Sequence, residues 1–260
     1  KMNSEREELL RLEQVSRSYA KNGKIVEALK PVNLKLYKGE VLGIVGESGS
    51  GKTTLMKQIC GIEKPDSGRI WFQSKEIRPS HRRDQKELYK HMQMIFQNAS
   101  MSFNPRRKIQ TSMDENLRFL SGISGRERRR AIMEQYMELV ELKPELLQRY
   151  PGELSGGQCQ RAAIARALMT QPEMLLCDEI TSALDVIVQD KILELLEKLA
   201  DQLNVSILFI SHDLALVSGF CDRIMVMKEG TCVEEGDCEE VLTNPQHEYT
   251  RKLLASILTV

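Results

Sequence analysis

A glycine-rich segment that ends in a lysine and a threonine has the spacing of a phosphate-binding loop. Residues 46–53 read GESGSGKT and match the pattern G-x-x-x-x-G-K-[ST]. Glycines let backbone N–H groups turn inward around phosphate oxygens, while Lys52 would face the β- and γ-phosphates and Thr53 would offer a hydroxyl to Mg²⁺. The apolar run 41–45 and the helical pattern that starts at Lys52 supply the strand and the helix that such a loop requires. The segment therefore predicts nucleotide binding.

Two carboxylates follow a second apolar run. Residues 174–177 read MLLC and precede Asp178 and Glu179. Asp178 is placed to serve a Mg²⁺ ion, and Glu179 is placed to orient and deprotonate an attacking water. Alone, this pattern equally fits a strand end that faces solvent. Together with the phosphate loop, it predicts hydrolysis of the nucleotide.

A third motif, LSGGQ at residues 154–158, opens a helix predicted to run to Met169. Ser155 can cap this helix, and the two glycines leave its N-terminus bare for an anion. A chain with one phosphate loop has little use for a second phosphate site on the same nucleotide. We therefore interpret this segment as a site for the γ-phosphate of ATP that is held by another copy.

Taken together, the three motifs resemble those of the nucleotide-binding subunit of ATP-binding cassette (ABC) transporters, whose signature motif matches residues 154–158. The resemblance implies that Gln97 senses the γ-phosphate and Mg²⁺, and that His212 is the switch histidine that contacts the γ-phosphate. It also implies that residues 182–185 form the loop facing the opposing subunit. Tyr19 would be the aromatic residue that stacks on adenine.

The expected site residues fall into three groups by role. The catalytic group is Lys52, Gln97, Glu179 and His212. The nucleotide-binding group is Tyr19, Gly46, Glu47, Ser48, Gly49, Ser50, Gly51, Lys52, Thr53, Thr54, Ser155, Gly156, Gly157 and Gln158. The expected metal ligands are Thr53, Gln97 and Asp178.

The apolar pattern divides the chain into three stretches that would position these motifs. Before residue 73 it predicts antiparallel strands at 10–15, 24–29 and 32–36, with turns at 22–23 and 38–39. Between 97 and 154 it becomes helical, most clearly over 128–142. Beyond Leu154, the predicted elements are a strand at 174–177, a helix at 186–203, a strand at 205–210 and a hairpin of 224–227 with 231–233.

These stretches predict an α/β fold: a P-loop NTPase core with a mostly parallel sheet, an antiparallel β subdomain and an inserted helical subdomain. We expect one ABC ATPase domain over residues 1–260. The core and the antiparallel β subdomain would comprise 2–96 and 155–260. The helical subdomain, which carries the glutamine loop, would comprise 97–154, and the C-terminal tail would comprise 236–260.

The tail narrows the resemblance. Residues 244–254 read NPQHEYTRKLL and, like residues 96–106, are similar to importer ATPases for dipeptides, oligopeptides and nickel. This similarity implies a second ATPase subunit, identical or paralogous, that sandwiches two Mg-ATP with the first. It further implies two transmembrane permease subunits and an extracytoplasmic solute-binding protein. The expected location is the cytoplasmic face of a bacterial or archaeal membrane, and the solute would be a peptide or a nickel chelate.

Three features depart from that family's usual pattern. Ile180 stands where proline is usual, and Cys159 interrupts the polar run after the signature. Many members continue with a cysteine-rich extension that can hold an iron–sulfur cluster; the sequence stops at Val260, and we expect no such cluster. The six cysteines are scattered without a C-x-x-C pair, as expected for reduced thiols, and the roles of Cys232 and Cys238 stay open.

Composition weighs against the alternatives. The chain has 37 Lys and Arg against 37 Asp and Glu, so a broad electrostatic grip on nucleic acid is not expected. This balance disfavours an ABC ATPase of DNA repair or translation, and a kinase or GTPase would have no use for residues 154–158. No apolar run approaches 18 residues, and residues 1–11 lack the apolar core of a signal peptide. The basic run 126–130 fits a solvated helix face, and the alternatives are contact with a partner subunit, an acidic lipid or nucleic acid.

Overall fold

The computed structural model describes residues 6–21, 23–78 and 82–257. The predicted turn position Asn22 lies outside the described residues. In chain order, the elements up to residue 91 are β1 Glu8–Lys21, β2 Lys24–Tyr37, β3 Val41–Val45, α1 Lys52–Ile59, β4 Ser67–Phe72, β5 Lys75–Glu76 and α2 Arg82–His91.

The middle of the chain is mainly helical, as predicted. Its elements are β6 Met92–Ile95, a 3₁₀ turn at Ala99–Ser102, α3 Ile109–Phe119, α4 Arg126–Leu139, 3₁₀ turns at Pro144–Gln148 and Pro151–Glu153, and α5 Gly156–Leu168. The remaining elements are β7 Met174–Asp178, α6 Val186–Leu203, β8 Ser206–Ser211, α7 Leu214–Ser218, β9 Arg223–Lys228, β10 Thr231–Asp237, α8 Cys238–Thr243 and α9 Glu248–Ile257. The helix predicted at 186–203 is confirmed with both of its ends.

The chain folds into two compact units. The first comprises the residues up to Gln85 together with those from Ser206 onwards, and the second comprises Lys86–Val205. The phosphate loop and His212 belong to the first unit. Gln97, the carboxylate pair and the signature segment belong to the second.

An antiparallel sheet in the first unit has the strand order β2-β1-β4-β5. The sequence pattern predicts two strands at 24–29 and 32–36, and this prediction is wrong, because β2 runs through both. Pro31, which has no N–H to donate, interrupts the apolar pattern. The pairing with β1 shifts register between Val15 and Arg17, and this irregularity accommodates the proline within one strand.

The second sheet of this unit contains the parallel neighbours β8, β3 and β9, with β10 antiparallel to β9. All six residues of β8 are buried, which explains its continuous apolar run. Gly43 lies in the middle of β3, where an added Cβ would come within 2.8 Å of Val217 Cγ1 and 2.9 Å of Cys221 Sγ. The glycine therefore lets the segment around α7 pack directly on the strand.

The second unit pairs β6 with β7 in parallel, with Ile95 opposite Cys177. Its helices α3, α4 and α5 pack around buried apolar side chains that include Met113, Met137 and Ile164. The helix predicted at 128–142 is displaced slightly toward the N-terminus, since α4 spans Arg126–Leu139. Parallel and antiparallel strands combined with helices agree with the predicted α/β class.

Candidate active site

The glycine-rich loop connects β3 to α1, as its sequence predicts. Gly46 has φ +155°, and a Cβ there would lie 2.2 Å from the carbonyl oxygen of Met227. Gly51 has φ +105°, and a Cβ there would lie 2.8 Å from the carbonyl oxygen of Ala28. The loop backbone therefore packs so closely against the end of β9 and against β2 that only glycine fits at these two positions.

Lys52, the first residue of α1, closes the loop on itself. Its side chain is buried, and Nζ donates hydrogen bonds to the carbonyl oxygens of Gly46 at 2.6 Å and Glu47 at 3.0 Å. A buried ammonium needs such acceptors, and here the loop supplies them from its own backbone. The arrangement fixes a positive charge at the N-terminus of a helix, where phosphate oxygens are favoured.

The other predicted loop residues line the same turn. Ser50 is buried, and its carbonyl oxygen accepts a hydrogen bond from the Gly230 N–H at 2.9 Å. Thr53 lies exposed in the first turn of α1, with Thr54 half-buried beside it. The remaining members lie between β3 and α1 and are Ser48 and Gly49.

His212 follows β8 at the same edge of the sheet as the loop. Val45, the last residue of β3, pairs with Ser211, so the glycine loop and the histidine leave neighbouring strands at one level. Ser211 Oγ accepts a hydrogen bond from the Asp213 N–H at 2.9 Å, and Asp213 caps α7 through Ala215. This turn holds the His212 side chain exposed at the carboxyl edge of the parallel strands.

Tyr19 lies half-buried on β1. Its hydroxyl donates to Glu63, and this hydrogen bond, together with Lys57 and Arg17, holds the pKa of Glu63 below its usual range. The guanidinium of Arg17 lies 5.0 Å from the centre of the tyrosine ring. Because Arg17 covers one face of the ring, a nucleotide base could stack only on the other face.

In the second unit, Gln97 and Glu179 come together at the carboxyl ends of β6 and β7. Gln97 Nε2 donates to Glu179 Oε2 at 3.2 Å and to Ser182 Oγ at 3.1 Å. Ile95 and Cys177 are paired near the ends of these two parallel strands. The segments that follow the strands, which carry Gln97 and Glu179, therefore begin next to each other. The predicted sensor glutamine thus contacts the predicted catalytic carboxylate directly.

The backbone at Glu179 adopts an unusual conformation. Its φ of +46° lies in the left-handed region, which is uncommon for a residue with a side chain. Ser182 stabilises the turn, since its Oγ and its N–H lie 2.9 Å and 3.1 Å from the carbonyl oxygen of Glu179. The turn fixes where the carboxylate points.

The thiol of Cys177 lies on β7, just before this turn. Burial and the adjacent Asp178 raise the pKa of Cys177, so this thiol stays neutral.

Ser155 caps α5, as predicted. Its Oγ accepts from the Gln158 N–H at 3.2 Å, and Gln158 Oε1 accepts from the Ser155 N–H at 3.1 Å. This reciprocal pair is a capping box, and it assigns a structural role to the Gln158 side chain. Ser155 and Gly156 are exposed at the start of the helix.

The two signature glycines also permit close packing, a role that the sequence interpretation missed. A Cβ at Gly157 would lie 2.8 Å from Val188 Cγ1, and a Cβ at Gly156 would lie 3.3 Å from Leu184 Cδ2. Asp185, in the same stretch, caps α6 by accepting from the Val188 N–H at 3.0 Å. The signature segment therefore packs against residues 182–188, and the latter form a helix start.

Sequence reasoning also missed two polar residues beside the first-unit site. Glu63 accepts the hydrogen bond from Tyr19, and the Tyr249 hydroxyl accepts one from the Glu47 N–H at 3.2 Å. The tyrosine belongs to the tail motif at 244–254, whose sequence pattern assigns no role to any one residue. No local signal identifies Glu63, because it is brought to the site only by folding.

The comparisons with known proteins identify the family. Residues 29–182 match the family model described as ABC transporter. The chain belongs to the ABC transporter family. Two similar relatives are the oligopeptide transport ATP-binding protein OppF of Haemophilus influenzae, 42% identical over 89% of this chain and 70% of the relative, and the di/tripeptide transport ATP-binding protein DppF of Pseudomonas aeruginosa, 42% identical over 96% and 77%.

Solved structures of the same class resemble the fold. The ATP-binding cassette MJ0796 bound to ADP and Pi superposes with a TM-score of 0.80 and is 30% identical, covering 88% of this chain and 99% of its own. CbiO1 of Clostridium perfringens, part of the ABC transporter complex cbiONQ, gives a TM-score of 0.81 at 28% identity over 97% and 96%. The predicted P-loop NTPase fold and the predicted ATPase class are confirmed.

Membrane-spanning helices and clusters of metal-binding side chains are both absent from the part of the chain that the structure describes. No helix within residues 6–21, 23–78 and 82–257 combines the length and apolar character needed to cross a membrane. Over the same residues, no group of three or more His, Cys, Asp or Glu side chains is arranged to hold a metal ion. The ligands expected for Mg²⁺ are instead a mixture of hydroxyl, amide and carboxylate oxygens.

Proposed function

We propose that this chain is the ATP-hydrolysing subunit of a membrane importer for dipeptides or oligopeptides. The phosphate loop closed on Lys52 carries the nucleotide part of the proposal. The relatives named for oligopeptide and di/tripeptide transport, at 42% identity, support the solute class. The nickel chelate that the tail motif also allows is the second candidate for the solute.

In this proposal the two units contribute different groups to the reaction. Residues Gly46–Thr54 of the first unit bind the phosphates, with Lys52 as the counter-charge for the β- and γ-phosphates, and Tyr19 stacks on the adenine. The exposed imidazole of His212 contacts the γ-phosphate. Gly46 and His212 directly follow the paired residues Val45 and Ser211 of neighbouring parallel strands, so both lie at the same edge of the sheet.

Glu179 is the proposed base that accepts a proton from the attacking water. Gln97 orients this carboxylate, since its amide nitrogen donates to Glu179 and to Ser182. With the nitrogen engaged in these bonds, the amide oxygen is the atom left to face a cation. A carboxylate held in one orientation by a fixed turn loses little freedom when the water arrives.

Mg²⁺ fits the donor set that the chain offers. In the first unit Thr53 would offer a hydroxyl oxygen, and in the second unit Gln97 and Asp178 would offer amide and carboxylate oxygens, the ligand types that this cation prefers. When bound, the cation neutralises charge on the β- and γ-phosphates. The protein's own contribution is to hold the Lys52 ammonium against the loop backbone and the Glu179 carboxylate against the Gln97 amide.

The signature segment points to a partner subunit. Ser155, Gly156, Gly157 and Gln158 begin α5 with an exposed N-terminus, and we assign it to the γ-phosphate of ATP on a second ATPase subunit, identical or paralogous. Among the solved relatives, the MJ0796 cassette is dimeric and CbiO1 is part of a transporter complex, which supports this assembly. Two permeases and an extracytoplasmic binding protein complete the proposed importer, with this chain peripheral at the cytoplasmic face.

Uptake by cells tests the proposal. A strain that lacks this chain should lose accumulation of labelled di- and oligopeptides, and the unaltered chain should restore it. The Glu179→Gln variant should not restore uptake although the protein is made at the normal level. If the strain lost nickel accumulation but kept normal peptide uptake, the solute would be the nickel chelate instead of a peptide. Normal uptake of both would refute the importer assignment.

A further inference from the structure

A half-buried polar contact holds the segment before α9 against β10. Glu234, on β10, accepts hydrogen bonds from the N–H groups of Gln246 at 2.6 Å and His247 at 3.0 Å. Burial opposes ionisation of this carboxyl, but hydrogen bonds that include these two hold the pKa of Glu234 below its usual range. The segment that leads into α9 is thus fixed by one ionised side chain.

Tyr249 projects from the first turn of α9 to the phosphate loop. It is 6% exposed, and its hydroxyl oxygen accepts a hydrogen bond from the Glu47 N–H at 3.2 Å. The Lys228 ammonium lies 4.9 Å from the centre of its ring, which holds the ring in place from the end of β9. Burial raises the pKa of Tyr249, so the hydroxyl stays protonated, and its oxygen accepts from the amide as a neutral group.

The same loop residue is held from two sides. The Glu47 N–H donates to Tyr249, and the Glu47 carbonyl oxygen accepts from Lys52 Nζ at 3.0 Å. Lys52 also donates to the carbonyl oxygen of Gly46. Tyr249 of the tail therefore contacts the same two-residue segment that binds the Lys52 ammonium. A loop with several glycines has many conformations when unbound, and each fixed peptide group reduces the ordering cost of ligand binding.

We propose that Tyr249 is a positioning residue for the phosphate loop, acting through the Glu47 peptide to hold the conformation that binds the nucleotide's β-phosphate. The inference rests on the proposed function, because it assumes that this loop binds nucleotide. It gives the tail motif at 244–254 a task in the ATPase site. Glu234 acts one step further away by holding the segment that carries Tyr249.

The test is the nucleotide affinity of the full chain with Mg²⁺ present. Tyr249→Phe removes the hydroxyl and keeps the ring against Lys228, so the fold should be retained. We expect the dissociation constant for ADP to rise about threefold to tenfold, the value of one neutral hydrogen bond. The affinity for AMP, which lacks the β-phosphate, should change by less than about twofold. Tyr37→Phe, on β2 and away from the loop, is the matched control and should change neither value.

A double variant tests the path from Glu234. Glu234→Gln should weaken ADP binding in the parent chain, and it should have no further effect in a chain that already carries Tyr249→Phe, because both act through one contact. Turnover adds a second readout: Tyr249→Phe should raise KM for ATP with kcat nearly unchanged.

The outcomes separate this inference from the proposed function. Unchanged ADP affinity in Tyr249→Phe would overturn the inference while the parent chain still binds ADP. Equal weakening for ADP and AMP, accompanied by a lower melting temperature, would also overturn it, since that pattern indicates general destabilisation. Failure of the unaltered chain to bind ADP at all would refute the proposed function together with this inference.

Discussion

The amide nitrogen of Gln97 lies 3.2 Å from a carboxylate oxygen of Glu179, and the two residues are 82 positions apart in the chain. Their contact joins the loop after β6 to the turn after β7. A displacement of the glutamine, for instance on cation binding, would therefore change the position of the carboxylate. The orientation of the proposed base thus depends on the glutamine as well as on its own backbone turn.

Glu179→Gln should retain ATP binding and lose turnover. The amide keeps the shape of the carboxyl group but cannot accept a proton, so kcat should fall by at least about 100-fold. Binding is measured by calorimetry and turnover by phosphate release. The matched control is Glu194→Gln, an exposed carboxylate on α6, which should keep parental turnover. Turnover of Glu179→Gln near the parental rate would exclude this residue as the base.

Gln97→Ala should impair turnover less severely than Glu179→Gln. It removes the donor that orients the carboxylate but leaves the base itself, so a decrease in kcat of about tenfold is expected, the value of one hydrogen bond to a charged group. In a chain that already carries Glu179→Gln, the second substitution should add little. A fully additive loss would indicate that the two residues act separately.

Lys52→Ala should weaken nucleotide binding itself. Losing an ammonium that faces phosphates should raise the dissociation constant for Mg-ATP by about 10- to 100-fold. Lys75→Ala, an exposed lysine on β5 of the same unit, is the control and should bind as the parent does. If Lys52→Ala bound ATP with parental affinity, residues 46–53 would be a turn without a binding role.

Gly157→Ala should destabilise the second unit. Its Cβ would lie 2.8 Å from Val188 Cγ1, so α5 and α6 would have to separate, at a cost of about 1–3 kcal/mol in the free energy of unfolding. Gly152→Ala is the control, because no atom lies within 4 Å of the added Cβ; its effect should stay within about 0.5 kcal/mol. Denaturant titration measures both. Equal stabilities for the two variants would contradict the close packing.

A mixed dimer distinguishes whether the signature serves its own nucleotide or its neighbour's. One subunit carries Lys52→Ala, the other Ser155→Arg, and both carry Glu179→Gln to stop turnover. If the signature acts on the neighbour's ATP, both lesions fall on one composite site and about one ATP per dimer remains bound. Loss of the N-cap costs about 1 kcal/mol, so the Ser155 variant should stay folded.

Single-lesion dimers are the controls for this experiment. Each should lose one site and retain the other. A mixed dimer that binds no ATP, beside single-lesion dimers that each bind one, would show that the signature acts on its own subunit's nucleotide.

Much of this protein follows from the sequence because it rests on local chemistry. The phosphate loop is defined by glycines and a lysine within eight residues, and its flanking strand and helix follow from apolar runs and periodicity. The bounds of α6 were predictable because Asp185 caps its start and Asn204, with φ +51°, ends it. The capping box at Ser155 is likewise a pattern of neighbouring residues.

The tertiary structure decided what depends on groups far apart in the chain. No local pattern indicates that one strand would continue through Pro31, or that Gly157 of the signature would pack against Val188. The contact of Gln97 with Glu179 depends on the parallel pairing of β6 and β7, and that of Tyr249 with Glu47 on residues 202 positions apart. Parallel strands are joined by crossover connections of a dozen or more residues, so local residue spacing does not encode which distant segments become neighbours.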